Sequence, residues 1–86
     1  MRTGQWVMTR GIAAKMKEDK GFARFVYDCV ARYAHKDWGD TCEDDWKLND
    51  DAVKSGDDRI VAKYDNIFII TEWDRSVTTI LFLEEY

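Results

Sequence analysis

Three charged side chains interrupt the most apolar segment of the chain. Residues 67–86 read IFIITEWDRSVTTILFLEEY, and the one polar interval of this segment contains Glu72, Asp74 and Arg75. A carboxylic acid, a carboxylate and a guanidinium can act as general acid, general base and anion clamp in an active site. The same residues also form ordinary ion pairs at surface loops, which contribute little energy. The interval therefore predicts either a polar site or a charged turn.

A second group of reactive side chains lies in the middle of the chain. It contains His35, Asp37, Asp40 and Cys42, which are all of metal-binding types. Their spacing matches no zinc pattern, and the same residues fit a helix end at which His35 complements the dipole and Asp40 or Thr41 caps the next helix. We therefore predict no metal and no cofactor, and we retain His35, Asp37 and Asp40 as an alternative polar cluster.

Hydrophobic spacing indicates which elements carry these groups. Residues 5–9 (QWVMT) predict a short edge strand. Thr9 is suited to cap a first helix that buries Ile12, Ala13 and Met16 and ends near Asp19. Gly21 marks the break before an apolar stripe at helical spacing, formed by Phe22, Phe25, Val26, Cys29, Val30 and Tyr33. The stripe predicts an amphipathic second helix that covers the sheet, with Cys29 as a core thiol.

The second half of the chain predicts one more helix and three strands. Thr41 and the acids after it resemble a capping box, so a third helix should begin there, run to about Ser55 and stop at Gly56. Residues 59–66 read as a strand and a turn, and the segment 67–86 completes an antiparallel meander. We predict an α+β fold in which a three-stranded antiparallel meander, with the N-terminal segment as a candidate fourth edge strand, is covered by two or three helices. A chain of 86 residues supports one core, so residues 1–86 form a single domain.

The register of the predicted hairpin makes both of its faces apolar. Ile69 lies opposite Ile80 and Thr71 opposite Thr78. Two faces need two covers, and a face that the helices leave open is an exposed apolar patch or a self-association surface. The charges lie at one end, so the tip, residues 72–76, is the best functional candidate and the strands are its scaffold.

The net charge of −4 is unevenly distributed. Residues 37–58 hold nine Asp and Glu against two Lys, whereas residues 1–36 carry most of the Lys and Arg. Displacing the counterions of a nucleic acid needs a basic face, so the acidic block argues against direct nucleic-acid binding and favours a basic protein partner. The acidic candidates for that contact are Asp44, Asp45, Asp50 and Asp51.

Composition also indicates the cellular compartment. No segment approaches the roughly 20 consecutive apolar residues of a membrane span, and the N-terminus lacks the pattern of a signal peptide. The two cysteines, Cys29 and Cys42, are too few for a disulfide framework. We therefore expect a cytoplasmic protein with free thiols.

Three segments resemble a known group of proteins. The stretches MTRGIA, DWGDTCEDDW and IITEWDRSVTTILFLEEY are similar to a family of small uncharacterised proteins, described as plasmid-related, that bacterial plasmids, integrative elements and phages encode. The resemblance implies no activity and no functional residue. It does imply a context, because small acidic proteins of mobile elements often act by binding host defence or replication proteins.

Three functions follow as hypotheses. The first is a noncatalytic module that binds a host or element-encoded protein, such as a component of a restriction or CRISPR system that it inhibits, through the acidic block and through Glu72, Trp73, Asp74 and Arg75. The second is a small nuclease-like enzyme or toxin that uses the tip together with His35. The third is a structural or regulatory homodimer formed through the hairpin or an edge strand. Convergence of the tip charges and His35 on a concave site would favour the enzyme.

Overall fold

The computed structural model describes the whole chain from Met1 to Tyr86 and contains three α-helices and four strands. In chain order these are β1 (Gln5–Met8), α1 (Arg10–Glu18), α2 (Lys20–Ala34), α3 (Glu43–Ser55), β2 (Ile60–Tyr64), β3 (Ile67–Thr71) and β4 (Val77–Phe82). One turn of 3₁₀-helix follows at Leu83–Glu85. The predicted α+β fold class is confirmed. None of the helices combines the length and the apolar character that a membrane span requires.

The four strands form one sheet in the order β1-β4-β3-β2. The predicted meander is confirmed, since β3 pairs antiparallel with both β2 and β4. Ile69 lies opposite Ile80 and Thr71 opposite Thr78, which is the predicted register. The N-terminal strand is present at the edge and runs parallel to β4, with Trp6 beside Thr78, so the sheet is mixed.

Both antiparallel connections contain a residue with a positive φ. Asp65, in the predicted turn between β2 and β3, has φ 55°, which a short polar side chain tolerates in a tight hairpin. Arg75, at the tip between β3 and β4, has φ 61°. An arginine has no intrinsic preference for this conformation. Its own side-chain contacts must therefore hold it there.

One face of the sheet, called here the inner face, packs against α1 and α2. The buried residues of α2 belong to the predicted stripe and are Phe22, Val26, Cys29 and Tyr33. They share one core with the strand residues Ile60, Ala62, Tyr64, Ile67, Ile69 and Ile80. Burial of each large apolar side chain contributes about 1.5–3 kcal/mol before entropy is counted. The stripe therefore makes α2 the main cover of this face, as predicted.

The predicted end of α1 near Asp19 is confirmed, but Gly21 does not mark the break before α2. The break lies at Asp19, whose carboxylate accepts from Phe22 N at 3.0 Å, and Gly21 lies inside α2. An aspartate that caps the new helix provides a hydrogen bond, which a glycine cannot do. Ala13, expected on the buried side of α1, is exposed, and Ile12 is the buried residue of that helix.

The predicted capping box at Thr41 is wrong. The helix α3 begins after Cys42, whose side chain makes no capping bond. Thr41 Oγ1 instead donates to Trp38 O at 2.5 Å and accepts from Lys63 N at 2.9 Å. The hydroxyl thus pairs a backbone amide of an edge strand, which a local cap would leave unpaired. The predicted stop is confirmed, since Gly56 ends α3 with φ 77°.

Candidate protein-binding surface

The hairpin tip places Arg75 inside the protein. Its guanidinium is buried and donates to four backbone carbonyls. Two of them lie outside the tip, Asp58 O at 2.6 Å and Ala52 O at 2.9 Å. Because Ala52 is in the last turn of α3, the guanidinium ties the tip to the end of that helix at which a positive charge is favourable. Arg75 therefore holds the fold together and is not accessible to a partner.

The other charged residues of the tip each have a local partner. Asp74 accepts from Ser76 Oγ at 2.6 Å and Ser76 N at 3.0 Å, and these hydrogen bonds hold the pKa of the carboxyl below its usual range. Glu72 forms a salt bridge with Arg59 at 3.7 Å. Trp73 is 63% exposed. The tip thus offers an indole to solvent, and its acids and its guanidinium do not share one site.

The alternative polar cluster is divided among separate bonds near the end of α2. Asp37 binds Arg32 through both carboxylate oxygens, at 2.9 and 3.3 Å, and this pairing lowers the pKa of Asp37. Asp40 does not cap α3, because its Oδ2 accepts from Asp65 N at 2.7 Å. His35 ends α2 with an exposed side chain that takes part in no salt bridge. No three His, Cys, Asp or Glu side chains are grouped as metal ligands.

The acidic block forms an exposed side of α3. Asp44, Asp45 and Asp51 are open to solvent. Asp50 is half-buried, and its Oδ1 accepts from the indole N–H of the core residue Trp38 at 2.9 Å. Three of the four predicted acids are therefore available to a partner, and the fourth fixes a core tryptophan.

The two thiols lie in different environments. Cys29 is in the core, where burial raises its pKa from 9.0 to about 11. A thiol that remains protonated is a poor nucleophile, so Cys29 serves packing. Cys42 is exposed at the N-terminal end of α3. Neither thiol forms a disulfide.

The second face of the sheet, called here the outer face, has no helix packed on it. Its apolar residues are Val7, Val61, Phe68, Ile70, Val77 and Leu81. The core that joins the helices to the strands contains none of them, although Ile70 and Leu81 are buried. At Phe68 this face meets the end of the chain, since the ring of Tyr86 contacts Phe68 edge-on at 5.3 Å and lies beneath the guanidinium of Arg59 at 5.5 Å. On this part of the outer face, Tyr86 and Arg59 thus take the place that α1 and α2 have on the inner face.

A groove runs between the outer face and α3. Two adjoining hollows form it; Asp45 and Val61 line both, with Leu48 and Arg59 in one and Lys63 and Phe68 in the other. Leu48 is 63% exposed although it is a leucine. The groove therefore has an apolar floor, a wall on the α3 side that carries Asp45, and two cations, Arg59 and Lys63, on the β2 side. Apolar and charged groups of both signs suit a protein segment better than a small reactive substrate.

Sequence reasoning missed the residues of this groove. It predicted that the hairpin has a second apolar face and left its cover open, but it did not single out Leu48, Val61 or Tyr86. One signal was present, because Leu48 is out of phase with Trp46, Asn49 and Val53, which point α3 toward the rest of the protein. An apolar residue outside the buried stripe of a helix marks a candidate contact.

Comparison of the chain with protein-family models, characterised proteins and solved structures gave no significant match. The functional interpretation therefore depends on the geometry of the outer face, the groove and the strand edges.

Proposed function

We propose that the protein is a noncatalytic protein-binding module whose contact surface is the outer face together with the groove beside α3. The observation that carries this proposal is the apolar sheet face without a helical cover. Ile70 and Leu81 are buried, but Val7 is exposed and Val61, Phe68 and Val77 are half-buried, so part of this face is open to solvent. An apolar surface that remains open on a small protein is typical of an interaction site. Leu48 and Tyr86 are 63% and 65% exposed, and side chains of this size anchor an interface when a partner removes them from water.

The charges around the groove favour a basic partner. Asp45 lines the groove, and Asp44 and Asp51 are exposed elsewhere on α3. Of the two cations in the groove, Arg59 is already paired with Glu72 and Lys63 forms no salt bridge, so the acids of α3 outnumber the unpaired cations. A partner segment that places apolar residues on the floor and Lys or Arg against the wall complements both features. We therefore infer a host or element-encoded protein with a basic, partly apolar surface.

The separate bonds of the tip residues support a noncatalytic role. Glu72, Asp74 and Arg75 each bind a different group, and none of these bonds connects them with His35. A nuclease-like enzyme or toxin would need an acid, a base and an anion clamp around one reacting atom. This arrangement weighs against the catalytic hypothesis.

The resemblance to plasmid-related proteins supports a role in a mobile genetic element. Such elements must persist in cells that degrade foreign DNA, and small acidic proteins are suited to block proteins that carry a DNA-binding basic face. We therefore place the proposed partner among host defence proteins, such as a component of a restriction or CRISPR system.

Substitution of Leu48 by glutamate tests the contact surface. Tyr27 provides a matched control because it is 67% exposed and lies on α2, on the other side of the sheet. Tagged wild type, Leu48→Glu and Tyr27→Glu are used to capture proteins from a bacterial lysate. We expect Leu48→Glu to retain about tenfold less of the partner than Tyr27→Glu, since loss of an interface anchor costs more than about 1 kcal/mol. Equal recovery by the two variants would contradict the proposed surface.

A plasmid-establishment assay tests the defence role separately. A plasmid that carries restriction sites or a CRISPR target is introduced into cells that express wild type or Leu48→Glu. We expect wild type to raise the number of transformants in cells with an active defence system and to change nothing in cells without one. A result in which no defence background responds to wild type would refute inhibition of these systems, and the capture experiment would still report on binding.

A further inference from the structure

One edge of the sheet is closed to further strands. At β2, the Asn49 side chain exchanges two hydrogen bonds with Val61, from Nδ2 to the carbonyl at 2.8 Å and from the amide to Oδ1 at 3.1 Å. Lys63 N donates to Thr41 Oγ1 at 2.9 Å, and Lys63 O accepts from Asp40 N at 2.8 Å. The outward backbone groups of both strand residues are thus paired, so no strand can add here.

The opposite edge, at β1, leaves backbone groups unpaired. The amide of Gln5 donates to Ser76 O and that of Thr9 to Ile80 O, both at 3.1 Å. These bonds show which residues of β1 face β4 in the parallel ladder. In such a ladder alternate residues bond to the same neighbour. The N–H and C=O groups of Trp6 and Met8 therefore point away from β4, in the position that a further strand would occupy.

The surroundings of this edge are apolar and basic. Val7 and Met8 are 38% and 44% exposed, and β1 has none of the charged residues or prolines that protect edge strands. No Asp or Glu occurs in the first 17 residues of the chain, which contain Arg2, Arg10, Lys15 and Lys17. The carboxylate of Glu85 also lies at the end of β1, where its Oε1 accepts from Thr9 Oγ1 at 2.8 Å. The N-terminal segment beside this edge thus contributes four cations, with this one acid in direct contact with it.

We propose that β1 binds an extended, acidic segment of a partner protein, which joins the sheet as a fifth strand. Trp6 and Met8 supply main-chain hydrogen bonds, and Arg2 and Arg10, at the two ends of the strand, attract carboxylates. This edge lies across the sheet from the groove, although the Val7 side chain of β1 belongs to the outer face. The inference concerns the backbone of β1 and goes beyond the proposed function, and the variants that test it leave Leu48 and the groove unchanged.

A second copy of this chain is a poorer occupant. Two-fold antiparallel pairing would bring Arg2 of one copy toward Arg10 of the other, which places like charges together. The charge pattern therefore selects an acidic segment.

Two fluorescently labelled peptides serve as probes. Both have the same alternating Thr-Val core, and one has glutamates at its ends while the other has lysines. The decisive variant is Met8→Pro, which removes an outward N–H that the sheet itself does not use, and Met8→Thr is its control because it keeps the N–H. The double variant Arg2→Glu/Arg10→Glu reverses the charge without changing the backbone.

We expect wild type to bind the glutamate peptide about fivefold more tightly than the lysine peptide, as two exposed ion pairs would provide. Met8→Pro should lose binding, Met8→Thr should retain it, and the double variant should reverse the order of the peptides. Equal affinity for the two peptides, or binding to neither, would overturn the proposal. So would a dimer in analytical ultracentrifugation that Met8→Pro abolishes, because the edge would then belong to a second copy. If Met8→Pro fails to fold by circular dichroism, the double variant decides the question.

Discussion

The Arg75 guanidinium allows the contribution of one buried side chain to be measured. Each hydrogen bond from a charged donor contributes about 1.5–3 kcal/mol net. The bonds to Asp58 O and Ala52 O join separate elements, and the other two stay within the tip. Ala52 O also accepts a hydrogen bond from Gly56 N at 2.9 Å, which remains when the guanidinium is removed. The carbonyl that chiefly loses its hydrogen-bond donor is therefore Asp58 O. We therefore expect Arg75→Ala to lower the free energy of unfolding by about 3 kcal/mol, well below the sum of four bonds.

A glycine at this position separates the side-chain effect from the backbone effect. Arg75 has φ 61°, a conformation that costs an L-residue about 1–2 kcal/mol and costs glycine little. Arg75→Gly loses the same hydrogen bonds as Arg75→Ala but relieves this strain. We therefore expect the glycine variant to be more stable than the alanine variant by about 1 kcal/mol.

Urea unfolding followed by far-UV circular dichroism measures both differences. Trp73→Ala is the control, because the side chain of Trp73 is exposed at the same tip and its loss should change stability by no more than about 0.5 kcal/mol. If Arg75→Ala unfolds at the same urea concentration as Trp73→Ala, the carbonyl bonds do not hold the tip, and the structural role given to Arg75 is wrong.

Two further predictions concern pH and the closed edge. Burial raises the pKa of Tyr33 from 10.0 to about 12 and that of Cys29 from 9.0 to about 11. Both groups are neutral when protonated, so their contribution to stability should be constant below about pH 9 and fall above it, by about 2 kcal/mol at pH 12 for Tyr33 alone. A urea midpoint that stays flat between about pH 9 and pH 12 would refute this. Asn49→Leu removes two bonds to the backbone of β2 and should cost roughly 2 kcal/mol in urea unfolding. It should also produce concentration-dependent association in light scattering, since it opens a second edge; a stable monomer would show that other groups close β2.

The features that the sequence predicted well are those that repeat. The stripe of α2 occurs at helical spacing over twelve residues, and the hairpin register follows from alternation on both strands. The errors fall where a single side chain chooses between local and distant partners. Thr41 could cap α3 or pair the edge of β2, and the sequence contains no information on how near Lys63 lies. The end of α1 near Asp19 was predicted, but the break was assigned to Gly21, and α2 begins before it because the Asp19 carboxylate caps that helix.

The residues of the candidate site also fall into those that the sequence predicted and those that it did not. The exposed acids of α3 follow from composition, because a run of carboxylates must face water. The burial of Arg75 does not follow, since its acceptors are backbone carbonyls that any sequence would supply. Asp74 is bonded within the tip and Glu72 is paired with Arg59, just before β2, so three nearby charges that suggested one site have three separate roles.

A line of hydroxyls through the core accounts for the one strand whose direction the sequence left open. Thr78 Oγ1 donates to Thr3 O at 2.6 Å, Thr71 Oγ1 lies 2.7 Å from Thr78 Oγ1, and the Tyr33 hydroxyl lies 2.5 Å from Thr71 Oγ1. Since a carbonyl can only accept, every hydroxyl in the line donates toward Thr3. A buried hydroxyl without an acceptor costs free energy, and the line needs a carbonyl at its end. When β1 begins beside the end of β4 that is nearest the tip, Thr3 lies next to Thr78 and provides that carbonyl. Polar residues inside the hairpin, rather than any pattern in residues 5–8, therefore favour the parallel orientation of β1 and with it the unpaired edge.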